Sequence, residues 1–329
     1  MASEVRAPLP VVTLGGIPLP GVLSLDIHSN NHLSADRFSI RFAARLAPLA
    51  ALHLPGQQLK ISVSLNRISR RLLVGIVDSL SYDPTSGLVH AEGRDLSALF
   101  IETQIDETFA NRTSSEIATT FAGRHGLGAV VDPTNTAIGR YYQSEHDRVS
   151  LGQFAKTMTE WDLLAFLASR EGFDLYMDGA TLRFGVPAAD AALAISAADC
   201  LKMHLEHRVA LGRPMTVTVK SWSSRSATTT VSTKQAPGSG AAWVRTITRP
   251  NLTADDAQAL AARTVADTKR HEWTADLLMP GDLTMTPRSR VSITATGSDW
   301  DRTYAVSQVS RHLDVKRGFT QRIALQGVS

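Results

Sequence analysis

The stretch that decides the fold is residues 55–93, PGQQLKISVSLNRISRRLLVGIVDSLSYDPTSGLVHAEG, because its order of strands and turns returns in residues 280–327, PGDLTMTPRSRVSITATGSDWDRTYAVSQVSRHLDVKRGFTQRIALQG. Apolar and polar residues alternate from Leu59 in the first stretch and from Val291 in the second. Each stretch continues through a polar turn, a second strand and a turn with glycine into a third strand. Such alternation predicts strands with one buried face. The chain is therefore predicted to carry one β design twice.

A duplicated β unit has a consequence for symmetry. Three copies of such a chain present six similar surfaces, which suits a symmetric adapter better than an enzyme pocket. The duplication therefore favours an assembly role.

The composition is that of an ordinary globular protein, and its length predicts two or three domains. Of the 329 residues, 43% are hydrophobic, 20% are charged and 6% are aromatic. The 34 basic and 31 acidic residues leave a net charge of +3, a surplus too small to indicate nucleic-acid binding. Abundant Thr, Ser, Ala and Val favour many short strands. No apolar run is long enough to predict a signal peptide or a membrane span.

The middle of the chain has a different pattern, which predicts helices and a hairpin. Thr113–Glu116 fits a capping box that starts a helix, and Gly126 ends it. A second helix is predicted from Ser150 and a third from about Glu160 to Glu171. Asp178-Gly179 is typical of a hairpin turn. This segment is therefore predicted to be α+β.

After this segment, Pro187 to Ala198 is rich in alanine and predicts a connector. Strands are predicted at 215–219, 228–233 and 243–248 before a helix capped by Thr253. Its Ala257, Leu260, Ala261, Thr264 and Val265 follow helical spacing.

Together these patterns predict an α+β fold that is mainly β, with a small antiparallel barrel or sandwich as the economical form of the β units. The resemblance described below implies two similar small β-barrel domains flanking an α+β insertion. Residues 1–97 form the first β-barrel domain, and residues 98–190 form the α+β insertion domain. Residues 191–329 form the second β-barrel domain, with an inserted helix near 253–271.

No motif picks out a catalytic, cofactor-binding or metal-ligating residue. His204, Glu206 and His207 lie close in sequence, but in a strand His204 and Glu206 share a face while His207 points away. The single cysteine, Cys200, cannot form an internal disulfide, and its setting is typical of a small buried thiol. Neither a nucleophile elbow nor a phosphate-binding loop is present. The histidines His28, His90 and His312 are isolated in sequence. We expect no cofactor and no metal.

Two kinds of charged cluster are candidate functional features. Paired carboxylates carry out glycan hydrolysis, and the candidates are Glu102, Asp106 and Glu107, and Asp299 with Asp301. Solvated loops explain such pairs equally simply in a chain with 31 acidic residues. Basic clusters are predicted in turns of the two β copies, where they line a channel, pair with a neighbouring subunit or simply face solvent. They are Arg67, Arg70 and Arg71, and Arg311, Lys316 and Arg317.

Several segments in a fixed order resemble one protein family. They are Glu92-Gly93-Arg94-Asp95-Leu96 with the capped helix ending at His125-Gly126-Leu127, Trp161–Phe173, the Asp178-Gly179 hairpin, Tyr304–Val306 and Gly318–Thr320. This order is similar to that of the bacteriophage late control D family of tail baseplate hub proteins. It is also similar to the hub half of type VI secretion spike proteins. The resemblance spans about residues 55–327.

The resemblance implies two tube-type barrels and a homotrimer with pseudo-sixfold symmetry. Such a trimer joins the hexameric tail tube, or distal tail proteins, to the trimeric spike around a central channel. The channel holds the tape-measure protein, and DNA passes through it without specific binding. The implied location is the baseplate of the virion tail, assembled in the bacterial cytoplasm, and the implied role is structural rather than enzymatic.

Two departures from the family pattern modify this expectation. Pro287-Arg288 stands where a glycine turn is expected, so this loop is predicted to be reshaped. The sequence ends after the last hub strand, so the spike is expected to be a separate polypeptide. The alternatives are a tail-associated peptidoglycan hydrolase and the hub part of a type VI-like secretion spike.

Overall fold

The computed structural model describes residues 8–46, 56–105, 107, 109, 111–135, 137–138, 158–188, 191–223, 227–250 and 252–328. Its strands are β1 (Leu9–Leu14), β2 (Ile17–Pro18), β3 (Val22–Asn30), β4 (Arg37–Ala43), β5 (Gln58–Leu65), β6 (Ile68–Asp83), β7 (Leu88–Asp95), β8 (Arg112–Thr113), β9 (Gly128–Val131), β10 (Ala137–Ile138), β11 (Asp174–Asp178), β12 (Thr181–Gly185), β13 (Leu193–Ile195), β14 (Lys202–His207), β15 (Met215–Ser223), β16 (Thr228–Ala236), β17 (Trp243–Thr248), β18 (Trp273–Pro280), β19 (Arg290–Ile293), β20 (Thr303–Asp314) and β21 (Gly318–Gly327). Its α-helices are α1 (Ser97–Glu102), α2 (Ser114–Arg124), α3 (Glu160–Glu171) and α4 (Ala254–Lys269), and three short 3-10 helices cover Ala44–Leu46, Ala197–Asp199 and Val209–Gly212. The predicted α+β, mainly β fold is confirmed.

One large sheet connects the two ends of the chain. Its strands follow the order β14-β18-β21-β20-β3-β4-β7-β6-β5-β1-β2, with β19 beside β20 and β13 beside β19. Smaller sheets are formed by β8 with β10, by β11, β12 and β9, and by β16, β15 and β17. The large sheet contains both β copies that the sequence predicts.

Each copy uses six strands, which we call the first β module (β1 and β3 to β7) and the second β module (β13, β14 and β18 to β21). The spatial order is β3-β4-β7-β6-β5-β1 in the first and β14-β18-β21-β20-β19-β13 in the second. When the six strands of each module are numbered in chain order, the two modules have the same spatial order of strands. The modules differ at one edge, where β1 is antiparallel to β5 and β13 is parallel to β19.

A shared β-bulge aligns the two modules residue by residue. On β6 the register against β7 shifts between Val77 and Ser79, and on β20 the register against β21 shifts between Val306 and Gln308. Three residue pairs precede the shift in each module. Because a bulge displaces all later pairs by one residue, its repetition fixes the correspondence, with Ser79 equivalent to Gln308.

Each module has an apolar core built from alternate residues of its strands, and Leu283 and Leu313 add to the core of the first module. Such alternation is expected when one face of a sheet is buried. The first core includes Ile27, Ile40, Phe42, Leu59 and Ile61, which are fully buried, and the second includes Leu277, Val291, Tyr304, Val309 and Ile323, which are also fully buried.

The segment between the modules packs α2 and α3 against β9, β11 and β12 around a third core. The capping box of Thr113 with Glu116 is confirmed at the start of α2. Helix α3 spans the predicted residues and ends at Gly172, whose φ of 73° is left-handed. The predicted Asp178-Gly179 hairpin connects β11 to β12. The helix predicted from Ser150 falls almost entirely outside the described residues.

A further small α/β unit is inserted into the second module. Strands β15, β16 and β17 pack against α4 through Val217, Val219, Ala257 and Ala261. The predicted helix capped by Thr253 is confirmed. We call residues 209–271 the inserted unit, because its flanking strands β14 and β18 pair with each other.

The connector predicted from Pro187 to Ala198 is partly wrong, because Leu193 to Ile195 form β13 beside β19. A three-residue edge strand carries too short an alternation to be recognised in sequence. The boundaries predicted at 97/98 and 190/191 stay predictions. None of the described helices is long and apolar enough to cross a membrane.

Candidate assembly interface

The two modules are joined by direct strand pairing, which we call the seam. Strand β20 of the second module lies antiparallel to β3 of the first, with pairs running from Gln308 opposite Asn30 to Asp314 opposite Ser24. The seam therefore continues the sheet from one module into the next by backbone hydrogen bonding. A joint of this kind holds the two modules in a fixed register.

Side chains reinforce the seam on its polar face. The Nδ1 atom of His312 lies 2.6 Å from Asp26 across the seam, and its Nε2 atom lies 2.9 Å from Asp314. Burial alone would lower the pKa of His312, but hydrogen bonds to Asp26 and Asp314 outweigh it, so the pKa is raised. Two pairs further along, His28 Nδ1 lies 3.0 Å from Ser310 Oγ. The imidazole of His312 therefore links both strands of the seam.

The face of the large sheet that points away from the cores is polar in both modules. In the first, Arg94 binds Asp78 with its Nε 2.6 Å from a carboxylate oxygen. In the second, Arg322 binds Asp276 at 2.8 Å. Because the sheet is continuous across the seam, this polar face runs through both modules.

Charged side chains of the two modules and of the segment between them lie close together. Arg288 lies 3.5 Å from the ring centroid of Tyr176 and 3.6 Å from Asp174 of the segment between the modules. Burial lowers the pKa of Arg288. Burial also raises the pKa of Asp36, and burial together with Asp36 raises the pKa of Asp95 to about 7. Arg288 thus places a cation beside the segment between the modules. The reshaping predicted for the Pro287-Arg288 loop stays a prediction.

The placement of the basic clusters in turns is wrong for three residues. Arg70 and Arg71 lie within β6, and Arg311 lies within β20, where it is buried and donates to the carbonyl oxygens of Asp282 and Met285. The turn before β6 is shorter than predicted, because Asn66 and Arg67 have positive φ values of 51° and 69° and form a tight hairpin turn. Two further residues, Lys316 and Arg317, lie in a turn as predicted.

Three of the candidate carboxylates, those of Glu102, Glu107 and Asp301, are each held by a different partner. Glu102 binds Arg94, and Glu107 binds Arg124. The carboxylate of Asp301 accepts hydrogen bonds from Thr296 in its own loop, as expected for a solvated turn. Asp299 contributes its carbonyl oxygen to Arg302, while Asp106 lies outside the described residues.

His204, Glu206 and His207 lie on the edge strand β14, where His204 and Glu206 are exposed and His207 is half-buried. Glu206 binds Arg208, and the ring of His207 stacks on Trp273 with centroids 3.7 Å apart. Cys200 is half-buried, and burial raises the pKa of its thiol. Within the described ranges, no group of three or more His, Cys, Asp or Glu side chains is arranged to hold a metal ion.

Sequence reasoning missed the residues of the seam. Asp26 and His312 are 286 residues apart in the chain, so His312 is isolated in the sequence and meets its partner only in the fold. Local alternation places each of them on the polar side of a strand, but it does not show which strands become neighbours. The duplicated pattern is the one sequence feature that hints at contact between the two modules.

The architecture is similar to that of solved phage tail proteins. A tail protein from Neisseria meningitidis MC58 has a TM-score of 0.74 at 17% identity, covering 98% of this chain and 97% of that chain. The 43 kDa tail protein of prophage MuSo2 from Shewanella oneidensis has a TM-score of 0.70 at 16% identity, covering 97% and 96%. A type VI secretion component from E. coli, itself structurally similar to T4 bacteriophage tail proteins, has a TM-score of 0.56 at 12% identity, covering 97% and 77%.

No protein-family model matches the chain, and no curated protein matches it significantly. At these identities the solved structures establish the fold. The resemblance to tail baseplate hub proteins that the sequence indicates is therefore confirmed at the level of the fold, which this chain shares over nearly its whole length with phage tail proteins.

Proposed function

We propose that this protein is a structural hub of a phage tail baseplate, a homotrimer with pseudo-sixfold symmetry. The observation that carries the proposal is the pair of β modules with one strand order and one bulge, joined by the seam. Three chains supply six modules, so one ring matches a hexameric tail tube on one side and a trimeric spike on the other.

The polar face is the surface that suits a central channel. It carries arginine and carboxylate side chains that are paired with each other, such as Arg94 with Asp78 and Arg322 with Asp276. Paired charges give a hydrated wall without a strong single-sign field, which suits a tape-measure protein and passing DNA without tight binding. The ring encloses this face, and the tube and spike contact its two rims.

The proposed role is structural, and the protein acts through assembly in the virion tail after folding in the bacterial cytoplasm. Two of the sequence candidates for hydrolysis have structural partners. Glu102 forms an ion pair with Arg94, and Asp301 accepts a hydrogen bond from the backbone of Thr296 in its own turn. The main rival remains a tail-associated peptidoglycan hydrolase. Clearing of purified cell walls by this protein alone would favour that rival.

The test is the mass of the purified protein, measured by size-exclusion chromatography with light scattering, followed by electron microscopy of the particles. We expect three chains per particle and end-on views with six lobes around a channel. Addition of the tail tube protein of the same phage should give stacked rings on one face. A monomer at micromolar concentration that joins neither tube nor spike protein would refute the hub.

A second candidate is the hub part of a type VI-like secretion spike, favoured by the similarity to the E. coli secretion component. Both candidates share the ring and differ in the surrounding machine. Detection of the chain by mass spectrometry in purified virions that carry packaged DNA supports the phage hub. Its recovery only from secretion-competent cells without virions supports the secretion spike.

A further inference from the structure

Among the open strand edges in the described part of the chain are two on the large sheet, one in each module. The second half of β6, Ser79 to Asp83, pairs with β7 on one side, whereas β5 pairs only with the earlier part of β6. Strand β14 ends the sheet and pairs only with β18. Open edges present unpaired backbone groups that bind another strand.

The alignment of the modules shows what these edges correspond to. Counting from the shared bulge, Ser79 to Asp83 of β6 occupy the position of Gln308 to His312 of β20. Strand β14 lies beside β18 as β3 lies beside β4, and the registers place His204 at the position of Asp26. The open edges thus correspond to the two strands of the seam, and within the described residues they are not paired with each other.

We propose that these edges pair between neighbouring chains, so that β6 of one protomer continues into β14 of the next. The occupant of each edge is a second copy of this chain. Transferring the register of the seam places Ser81 opposite Glu206, Tyr82 opposite Leu205, and Asp83 opposite His204. Seams within chains and seams between chains then alternate around one ring.

The chemistry of the facing residues agrees with this register. In the seam within the chain, His312 of β20 faces Asp26 of β3. In the proposed seam the roles are exchanged, because Asp83 of β6 faces His204 of β14. The Asp83 carboxylate accepts hydrogen bonds from Thr85 N and Ser86 Oγ, and it retains lone pairs for an imidazole donor.

Burial differs between the closed and the open positions as expected. Ser79 and Ser81 to Asp83 are exposed, whereas their equivalents in the seam, Gln308 and Ser310 to His312, are half-buried or buried. Tyr82 itself is 53% exposed. Pairing with β14 would cover Tyr82 with Leu205, which is half-buried in the single chain. An exposed aromatic residue on an unpaired strand edge favours a protein partner over solvent.

Closure of the ring after three chains rests on the proposed function, whereas the pairing of the edges rests on the alignment of the modules. A head-to-tail interface forms a ring when its rotation closes and an open filament when it does not. The proposal therefore predicts which residues meet, and the hub predicts how many chains close the ring.

The test is a disulfide between chains. In a Cys200→Ser background, Tyr82→Cys is combined with Leu205→Cys, and the purified protein is oxidised and run on a denaturing gel without reductant. Directly opposed residues of paired strands lie within reach of a disulfide. We expect covalent dimers and closed trimers. The matched control combines Tyr82→Cys with Glu206→Cys, whose side chains point to opposite faces of the sheet and should crosslink at least tenfold less.

A second measurement does not depend on cysteines. His204→Asp places like charges opposite each other and should weaken the trimer roughly fivefold at each junction, measured by light scattering on dilution. Adding Asp83→Asn removes one of these charges, keeps a side-chain acceptor for the turn and should restore the trimer.

The outcomes separate the two proposals. Trimers that give no Tyr82–Leu205 crosslink and do not respond to His204→Asp would overturn the pairing and leave the hub standing. A crosslinked ladder that extends beyond trimers would support the pairing and refute closure by three chains. A protein that stays monomeric and uncrosslinked would overturn both.

Discussion

Gly93 is the residue at which the first module leaves least room. A Cβ atom added there would lie 2.0 Å from the carbonyl oxygen of Ile76 and 2.6 Å from Cζ of Phe38. The oxygen belongs to the paired strand β6, so relief would require moving a central strand. We expect Gly93→Ala to lower the free energy of unfolding by about 3 kcal/mol, measured by urea denaturation.

The matched control is Gly123→Ala on helix α2, where an added Cβ meets nothing within 4 Å. Alanine is favoured over glycine in a helix, so this change should raise stability by about 0.5 to 1 kcal/mol. Equal stability of the two variants would show that β6 and β7 are not packed as closely as described.

Asp95 makes the stability of the protein depend on pH. Its pKa is raised from 3.8 to about 7, first by burial and then by Asp36. The folded state therefore holds a proton that the unfolded state loses, and the stability of the native protein falls as pH rises from about 4 to about 7.

Asp95→Asn removes the ionisation and keeps an oxygen that accepts the hydrogen bonds of Ser97. Between pH 5 and pH 8 the variant should gain stability relative to the native protein, on the order of 3 kcal/mol. Chemical denaturation at both pH values measures this gain. The same difference in stability at both pH values would contradict the burial of an ionisable carboxyl group here.

Among the elements, the inserted unit is the one that we expect to be dispensable for folding. Its flanking strands pair up to His207 opposite Trp273, and the backbone N–H of Arg208 donates to the carbonyl oxygen of Glu272. The unit has a core of its own in Val217, Val219 and the buried face of α4. The strands β14 and β18 thus form a hairpin interrupted at its turn.

Replacing residues 209–271 by Asn-Gly should therefore leave one cooperative unfolding transition, because Asn-Gly favours the two-residue turn that this hairpin requires. Circular dichroism during thermal unfolding measures it. Loss of cooperativity, or an insoluble product, would show that the inserted unit supports the second module. A control that replaces the same residues by Pro-Pro should misfold, because proline removes the backbone donors of the turn.

Elements with strong local signals could be predicted from the sequence. The capping box of Thr113, the span of α3 and the Asp178-Gly179 turn depend on residues that are close together in the chain, and all three are confirmed. The two β copies were also visible, because alternation repeats in both.

Pairings between distant segments could not be predicted. The short strand β13 carries too few residues for a pattern. The buried cluster of Asp36, Asp95, Asp174 and Arg288 combines three separate segments, and the sequence alone gives no sign that they meet. For Arg311 the sequence leaves a channel, a neighbouring subunit and solvent open as surroundings, whereas in the structure the backbone carbonyl oxygens of Asp282 and Met285 accept its hydrogen bonds.

For the whole molecule, the proposed ring makes folding and assembly depend on each other. A partner that binds only the folded chain raises the melting temperature as its concentration rises. We expect the melting temperature to increase by several degrees between 0.5 and 50 micromolar protein, followed by scanning calorimetry. The His204→Asp variant should show a smaller dependence. A melting temperature that is independent of concentration in the native protein would indicate a chain that is stable by itself.

The inserted unit interrupts only one of the two modules, since the equivalent connection between β3 and β4 spans only residues 31–36. In a ring of alternating modules, these additions project at every other position and form three arms set 120° apart. A partner that binds the arms would thus distinguish first modules from second modules, although the strands of the two are nearly alike. The arms would then fix the rotation of a bound protein about the axis of the ring.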